Sequence, residues 1–191
     1  MQETLWMKGV CGVKFVRVMN GLCSHASGYK FQVDKENVAE IWNPNETDPK
    51  LQGGFNYTND KNVLRWLIRG DTICDVIIPE DAEIVAVENK NTPNGVWRTN
   101  KIIVTNPIVV TDEMCVELYK ISSFPLKTYY QVLAIMAGKG FANVCELIIK
   151  DKINKDNIDD CIKEYKMFNF YKGEGIYDEI LMQLQSAEIN R

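Results

Sequence analysis

Nucleophile-and-base chemistry in this chain would have to pass through a single histidine. His25 is the only histidine in 191 residues, and a Ser–His–Asp or Cys–His arrangement needs one as its base. Any of the six cysteines could in principle approach His25, and the sequence does not say which one. A lone histidine in a loop is more often a solvated residue. His25 is therefore only a candidate, and the catalytic residues stay unknown.

The cysteines do not predict a metal site. They are Cys11, Cys23, Cys74, Cys115, Cys145 and Cys161. None forms a Cys-x-x-Cys pair, so we do not expect zinc. The aspartates lack EF-hand spacing, so we do not expect calcium. Buried, reduced thiols in a reducing compartment are the favoured interpretation.

Charge and composition narrow the classes of function. The chain carries 22 Lys and Arg against 26 Asp and Glu, a formal net charge of −4, which argues against a nucleic-acid partner although a local basic patch is compatible with it. There is no P-loop and no GxGxxG motif. Without a secretory leader or a run of ~20 apolar residues, we expect a cytoplasmic protein outside the membrane.

One short segment has the composition of a binding surface. Trp97 and Arg98 follow the polar loop Asn89–Gly95, and an exposed Trp beside an Arg is typical of interaction sites. The alternative is that Trp97 closes one end of a sheet.

The stretch from Gly53 to Val110 predicts the elements that hold these residues. Gly53-Gly54 predicts a sharp turn or a close backbone approach, and Phe55–Tyr57 alternates as a strand does. A short helix follows, with Val63, Leu64, Leu67 and Ile68 on one side and Gly70 in a left-handed position at its end. Four further strands are predicted at Thr72–Ile78, Ile84–Val87, Ile102–Val104 and Ile108–Val110, with Pro107 marking an edge or a bend between the last two.

The segment before Gly53 contributes one clear strand. Val13–Met19 alternates well, and Arg17 on it points to solvent or to a cleft. The loop Asn20–Gly28 holds His25. Tyr29–Val33 is compatible with a strand, Glu36–Trp42 with a strand or a helical turn, and residues 43–52 with a long surface loop.

After residue 111 the hydrophobic period becomes helical. Thr111-Asp112 predicts the start of a helix to about Ser122, and four further helical stretches follow, joined by glycine turns and the linker 169–175. Residues 128–153 predict a helix pair with a glycine turn, and they also resemble an ankyrin-type hairpin. The sequence therefore predicts an α+β protein: a sheet-rich N-terminal domain (1–111) with one packed helix, then a C-terminal helical bundle or cap (112–191) of about five helices.

Residues 28 to 110 resemble an uncharacterised domain of giant viruses of amoebae, which often precedes ankyrin-type repeats and has relatives in bacteriophages. The matching motifs are Gly28–Phe31, Asn43-Pro44, Gly53–Thr58, Gly70–Pro79 and Trp97–Ile103. The resemblance implies a viral protein-interaction module without enzymatic activity or cofactor, acting on a host protein in the host cytoplasm. Its candidate binding residues are Phe55, Tyr57, Trp97 and Arg98.

Gly53–Tyr57 followed by a helix also resembles the Gly-aromatic stretch of ADP-ribosyltransferases. That resemblance implies an enzyme that uses NAD, or an inactive relative. Phe55 or Tyr57 would stack on nicotinamide, and Arg17 or His25 would hold the ribose or phosphate. A glutamate is also required, and the candidates are Glu83, Glu88 and Glu113, with Glu88 preferred. The alternative is that Phe55 and Tyr57 are core aromatics of a strand.

Overall fold

A computed structural model describes residues 14–25 and 27–189, and within them the chain has an α+β fold. The strands are β1 Phe15–Met19, β2 Glu36–Val38, β3 Phe55–Asn59, β4 Thr72–Ile77, β5 Ile84–Ala86, β6 Val96–Thr99 and β7 Lys101–Val109. The helices are α1 Pro49–Gln52, α2 Val63–Trp66, α3 Asp112–Ile121, α4 Leu126–Gly138, α5 Ala142–Lys152, α6 Ile158–Lys166 and α7 Tyr177–Ile189. Short 3₁₀ turns occupy Asp60–Asn62, Leu67–Arg69 and Asn169–Tyr171.

The seven strands form one antiparallel sheet in the order β2-β7-β4-β1-β3-β6-β5. β1 is central because it pairs with β3 on one side and with β4 on the other. Alternate residues of a strand point to opposite faces. Val16 and Val18 therefore join the core shared with the helices, whereas Met19 packs on the other face with Phe31 and Phe55.

The predicted strands are confirmed at β1, β3, β4 and β5, but between residues 96 and 110 one strand was not predicted and one prediction is wrong. Val96–Thr99, for which the sequence pattern predicts no strand, is a strand between β3 and β5. The two strands expected around Pro107 are the single strand β7. The register of β4 against β7 shifts between Ile73 and Asp75, so Pro107 occupies an irregular stretch beyond the reach of β2, which pairs only with residues 101–103. A bulge accepts a residue that cannot donate an N–H.

The segment Tyr29–Val33 is not a strand and makes only isolated bridges, at Lys30 and Val33. It crosses one face of the sheet instead, where Phe31 is buried. The strand within Glu36–Trp42 is limited to β2. Val13, Cys11 and the rest of residues 1–13 lie outside the described residues.

The backbone conformations predicted for the glycines are confirmed at Gly53 and Gly54 and wrong at Gly70. Gly53 and Gly54 have φ of 70° and 72°, and a Cβ at Gly53 would overlap the Ile41 carbonyl, so the predicted turn and close approach are confirmed. Gly70 is extended, at φ 163°, so its predicted left-handed conformation is wrong. Its requirement for glycine is spatial, because a Cβ there would overlap the Met19 carbonyl.

The helical pattern after residue 111 is confirmed. Thr111 caps α3, its Oγ1 accepting from Met114 N at 3.3 Å. α4 is the central helix, with all residues from Thr128 to Ala137 buried. It packs against α5 and α6 and shares one core with Val16, Val18 and Ile73 of the sheet. Within the described part of the chain, no helix is long and apolar enough to cross a membrane.

Candidate functional site

The centre of the sheet holds a buried arginine. Arg17 lies opposite Cys74 of β4, and the β1–β3 register, continued by one residue, sets it opposite Tyr57. Strand alternation therefore directs Arg17 away from the helices, to the face crossed by residues 20–35. Its guanidinium carbon lies 4.7 Å from the centroid of the Phe31 ring. Only 7% of Arg17 is exposed.

Arg17 occupies a gap between two strands. β1 and β3 pair at only two positions, Phe15–Asn59 and Val16–Thr58. Beyond them, Nη1 of Arg17 donates to the backbone oxygen of Asn56, and Nη2 donates to Ser24 Oγ at 3.2 Å. The Asn56 carbonyl has no partner from β1 at this point, and a buried backbone oxygen needs a hydrogen-bond donor. The Arg17 guanidinium supplies that donor.

No described carboxylate neutralises the charge of Arg17. Among residues 14–25 and 27–189, no Asp or Glu lies within ion-pair distance of it. Burial is the main cause that lowers the pKa of Arg17 to about 10; Cys74 opposes it, and the nearby Arg69 and Arg98 add to it. At neutral pH the group is still a cation. Its Nε is buried without a hydrogen-bond acceptor.

A cavity of about 60 Å³ lies at this gap. Consecutive residues of both strands line it, and so do the side chains of His25, Trp66 and Arg69. Trp66 Nε1 is also buried without an acceptor. Arg69 lies over the Trp66 ring, with 5.7 Å from its guanidinium carbon to the ring centroid. Two unsatisfied N–H donors and two arginines therefore surround one small space.

Two open clefts adjoin the cavity, and both are lined by His25, Ile68 and Arg69. We call the two clefts together the Arg69 groove. The first measures about 360 Å³ and adds Arg65 and Asn89. The second measures about 270 Å³ and adds Asn20, Asp71 and Lys139.

Basic side chains on both sides of the Arg69 groove are held in place by hydrogen bonds. Arg65 Nε donates to Gln131 Oε1 at 2.8 Å, and Gln131 in turn donates to Glu164 at 2.9 Å. Lys139 Nζ donates to the Gly70 oxygen at 2.9 Å. Burial lowers the pKa of both Arg65 and Lys139. Three basic side chains, Arg65, Arg69 and Lys139, and one acidic side chain, Asp71, therefore line the groove of a chain whose net charge is −4.

The structure brings together three of the four catalytic candidates. Arg17, His25 and Tyr57 all line the cavity. Glu88 does not, because it is exposed in the loop after β5. The other glutamates that the ADP-ribosyltransferase resemblance requires also lie elsewhere: Glu83 accepts from Trp42 Nε1 at 2.9 Å, and Glu113 is in the first turn of α3. Among the described lining residues of the cavity there is no carboxylate.

The candidate binding residues do not form one surface. Phe55 is buried against Tyr29 and Phe31. Trp97 is half-buried and stacks on Tyr57, with ring centroids 5.7 Å apart. Arg98 follows Trp97 in β6 and so points to the opposite face, where it donates to Asn56 Oδ1 at 2.6 Å and Gln52 Oε1 at 3.1 Å.

Tyr57 and Cys74, which lie opposite Arg17 on the neighbouring strands, are not in the ionised form that a base or a nucleophile needs. Burial raises the pKa of the Tyr57 phenol to about 12, so it stays protonated at neutral pH. The Cys74 thiol also has its pKa raised to about 12, mainly by burial, and a protonated thiol is a poor nucleophile. The arrangement can attract and hydrogen-bond an anion.

Sequence reasoning missed Arg65, Trp66 and Arg69. A signal was present, because residues 65 and 69 are four apart on a predicted helix and therefore share a face. That face is the one opposite Val63 and Leu64, whose apolar spacing identified the helix.

The described residues contain no group of three or more His, Cys, Asp or Glu that could hold a metal ion. In comparisons with protein-family models, curated proteins and solved structures, none matches this chain significantly. The cavity and the Arg69 groove are therefore the features that bear on function, and the resemblance to giant-virus proteins stays a prediction.

Proposed function

We propose that this protein is a non-enzymatic interaction module that recognises its partner through an anionic group bound between Arg17 and Arg69. The observation that carries the proposal is the buried Arg17 guanidinium, which lines a cavity and has no carboxylate partner among the described residues. Buried charges in proteins are ordinarily paired. An anion in the cavity would supply the missing countercharge.

Hydrogen bonding supports the same proposal. Arg17 Nε and Trp66 Nε1 both lack acceptors, and a buried donor without a partner costs about 1–3 kcal/mol. An oxyanion has several acceptor oxygens and would relieve this cost. Charge-assisted bonds to arginine are among the stronger hydrogen bonds in proteins.

The expected partner follows from the sequence and not from the site. The resemblance of residues 28–110 to a giant-virus domain makes a host protein in the host cytoplasm the expected partner. This assignment rests on that resemblance, whereas the anion site rests on the geometry around Arg17. The two parts of the proposal can fail separately.

Thermal unfolding in sulfate or phosphate, compared with chloride at equal ionic strength, tests the anion site. At 100 times the dissociation constant, a bound anion stabilises the folded state by about 2.7 kcal/mol, a rise in Tm of roughly 2–4 °C per kcal/mol. We expect the rise in the natural sequence and its loss in Arg69→Gln. Lys166→Gln on α6 removes an equal charge from an exposed position and should keep the full response. Equal Tm in chloride and phosphate would refute the proposal.

An NAD-dependent ADP-ribosyl transfer enzyme, or an inactive relative, is the second candidate. It is favoured by the convergence of Arg17, His25 and Tyr57 on one cavity. The 60 Å³ cavity is small beside the 300–1,000 Å³ typical of cofactor sites, so most of NAD would have to lie in the Arg69 groove.

The same unfolding series, extended to NAD and to pyrophosphate, separates the two candidates. Stabilisation by NAD beyond that by pyrophosphate, lost in a folded Tyr57→Ala variant that still responds to phosphate, would establish nicotinamide stacking and favour the enzyme. Equal stabilisation by NAD and pyrophosphate would leave the anion module.

A further inference from the structure

We infer that the anionic group is a terminal phosphate monoester. This inference rests on the proposed function and narrows it to one ligand chemistry. Three features of the site carry it: the size of the cavity, the charge around it, and the open grooves beside it.

The size of the cavity selects a single small group. About 60 Å³ is well below the roughly 300–1,000 Å³ of pockets that hold drug-sized ligands. A tetrahedral oxyanion matches that space, and an aromatic or sugar ring does not. The walls come from β1, β3, β6, the 20–25 loop and the Trp66–Arg69 turn. A monoester needs one exit toward the rest of its ligand, whereas a diester needs two, and the Arg69 groove beside the cavity offers such an exit.

The charge around the cavity selects a dianion. Arg17 and Arg69 line it together with His25, and none of its described lining residues is acidic. A phosphate monoester carries about −1.5 to −2 charges at pH 7, whereas a carboxylate or a phosphodiester carries one. Arginine also binds phosphate oxygens in a bidentate manner. The site therefore favours a monoester over both singly charged groups.

The remainder of the ligand would lie in the Arg69 groove. Its described lining includes apolar Ile68 and the amides Asn20 and Asn89, with Arg65 in one cleft. The other cleft holds Lys139 and one carboxylate, Asp71. Amide side chains both donate and accept hydrogen bonds, so the groove suits a peptide backbone or a small polar molecule. A phosphorylated side chain of a protein and a small phosphate ester offer the same terminal group.

Isothermal titration calorimetry with chemically matched probes tests the inference. The probes are a short phosphoserine peptide, its serine counterpart, adenosine monophosphate, dimethyl phosphate and acetate. We expect at least one of the two monoesters to bind at least tenfold more tightly than dimethyl phosphate and acetate, and the serine peptide not to bind. Tighter binding of the phosphopeptide would assign the source to a protein, and tighter binding of adenosine monophosphate would assign it to a small ester.

Two variants keep the test independent of folding. Arg17→Gln should abolish binding of the monoesters, but Arg17 is buried and its loss can unfold the chain. Arg69→Lys keeps the charge at a half-buried position and removes the bidentate fork, so we expect monoester affinity to fall about tenfold, while the Lys166→Gln control retains it.

The inference and the proposed function fail differently. If dimethyl phosphate or acetate binds as tightly as the monoesters, the preference for a terminal phosphate is refuted and the anion-binding module stands. If no anion binds and none raises Tm, both are refuted.

Discussion

At the scale of single residues, the environment of Arg17 bears most directly on the proposed function. It follows Val16 and precedes Val18, both of which pack into the core shared with the helices. Strand alternation alone directs it to the opposite face. Whether that face is open or covered depends on residues 20–35, which bring Phe31 and Ser24 against the guanidinium.

The cysteine opposite Arg17 yields a prediction about reactivity. Burial raises the pKa of Cys74 from an ordinary value of 9.0 to about 12, which lowers the thiolate fraction at pH 8 by roughly a thousandfold, tenfold for each pKa unit. The pKa of Cys74 is higher in the folded protein than in the unfolded chain. Titration of this thiol therefore leaves the free energy of unfolding unchanged below pH 9 and lowers it as pH rises from 9 to about 12.

We therefore expect iodoacetamide to alkylate half-buried Cys23 at least a hundredfold faster than Cys74 in the folded protein at pH 8. Peptide mass spectrometry in a Cys11→Ser background measures both rates. In denaturant the two rates should converge, which controls for sequence effects. Equal rates under native conditions would contradict the burial of Cys74.

At the scale of elements, the short helical segment Val63–Arg69 connects the core to the site. Leu64 and Leu67 are buried against the helices, while Arg65, Trp66 and Arg69 line the cavity or the Arg69 groove. The segment can end at this position because Gly70 approaches the Met19 carbonyl without a side chain.

A methyl group at Gly70 should therefore disturb both stability and binding. Gly70→Ala would force the turn away from β1, and overpacking of this kind typically costs about 1–3 kcal/mol. We expect a lower midpoint of chemical denaturation and a reduced rise of Tm with phosphate, because Arg69 precedes the displaced residue.

The matched control for Gly70→Ala is Gly173→Ala. Gly173 has φ of 80° and no heavy atom within 4 Å of an added Cβ, so its cost is limited to the left-handed conformation, about 1–2 kcal/mol. Its phosphate response should be unchanged. A Gly70→Ala protein with normal stability and a normal response would show that the close approach is not required.

At the scale of the whole molecule, the sheet and the helices share one hydrophobic core. Val16, Val18 and Ile73 of the sheet belong to the same cluster as Leu133 of α4 and Ile148 of α5. Elements that share a buried core gain stability from one another's presence, so we expect them to unfold together.

Denaturant unfolding followed by two signals tests this cooperativity. Tryptophan fluorescence in a Trp6→Phe background reports on the sheet through Trp42 and Trp97 and on the shared core through Trp66. Far-ultraviolet circular dichroism reports mainly on the helices. Ile148→Ala in α5 should cost about 2–5 kcal/mol and shift both transitions equally. Val18→Ala on the sheet side should also shift both. Transitions that separate in either variant would show that the two layers unfold independently.

Local patterns in the sequence predicted most of the elements. The alternation of residues 15–19, the Thr111 cap and the apolar spacing of Val63, Leu64 and Leu67 all depend on interactions between near neighbours, so they can be recognised without the fold. Arg17, His25 and Tyr57 were also singled out as candidates. What stayed open was whether they meet.

Whether these residues come together depends on contacts between segments that are far apart in the sequence. The strand order places β1 between β3 and β4, the early parting of β1 from β3 opens the gap, and the turn after α2 brings Arg69 to it. The bulge around Pro107 and the strand Val96–Thr99 are likewise products of long-range pairing. Local propensity does not encode strand register or close backbone approach. For that reason the tertiary structure alone decided that Arg17 is buried, lines one cavity with Arg69 and has no carboxylate partner among residues 14–25 and 27–189.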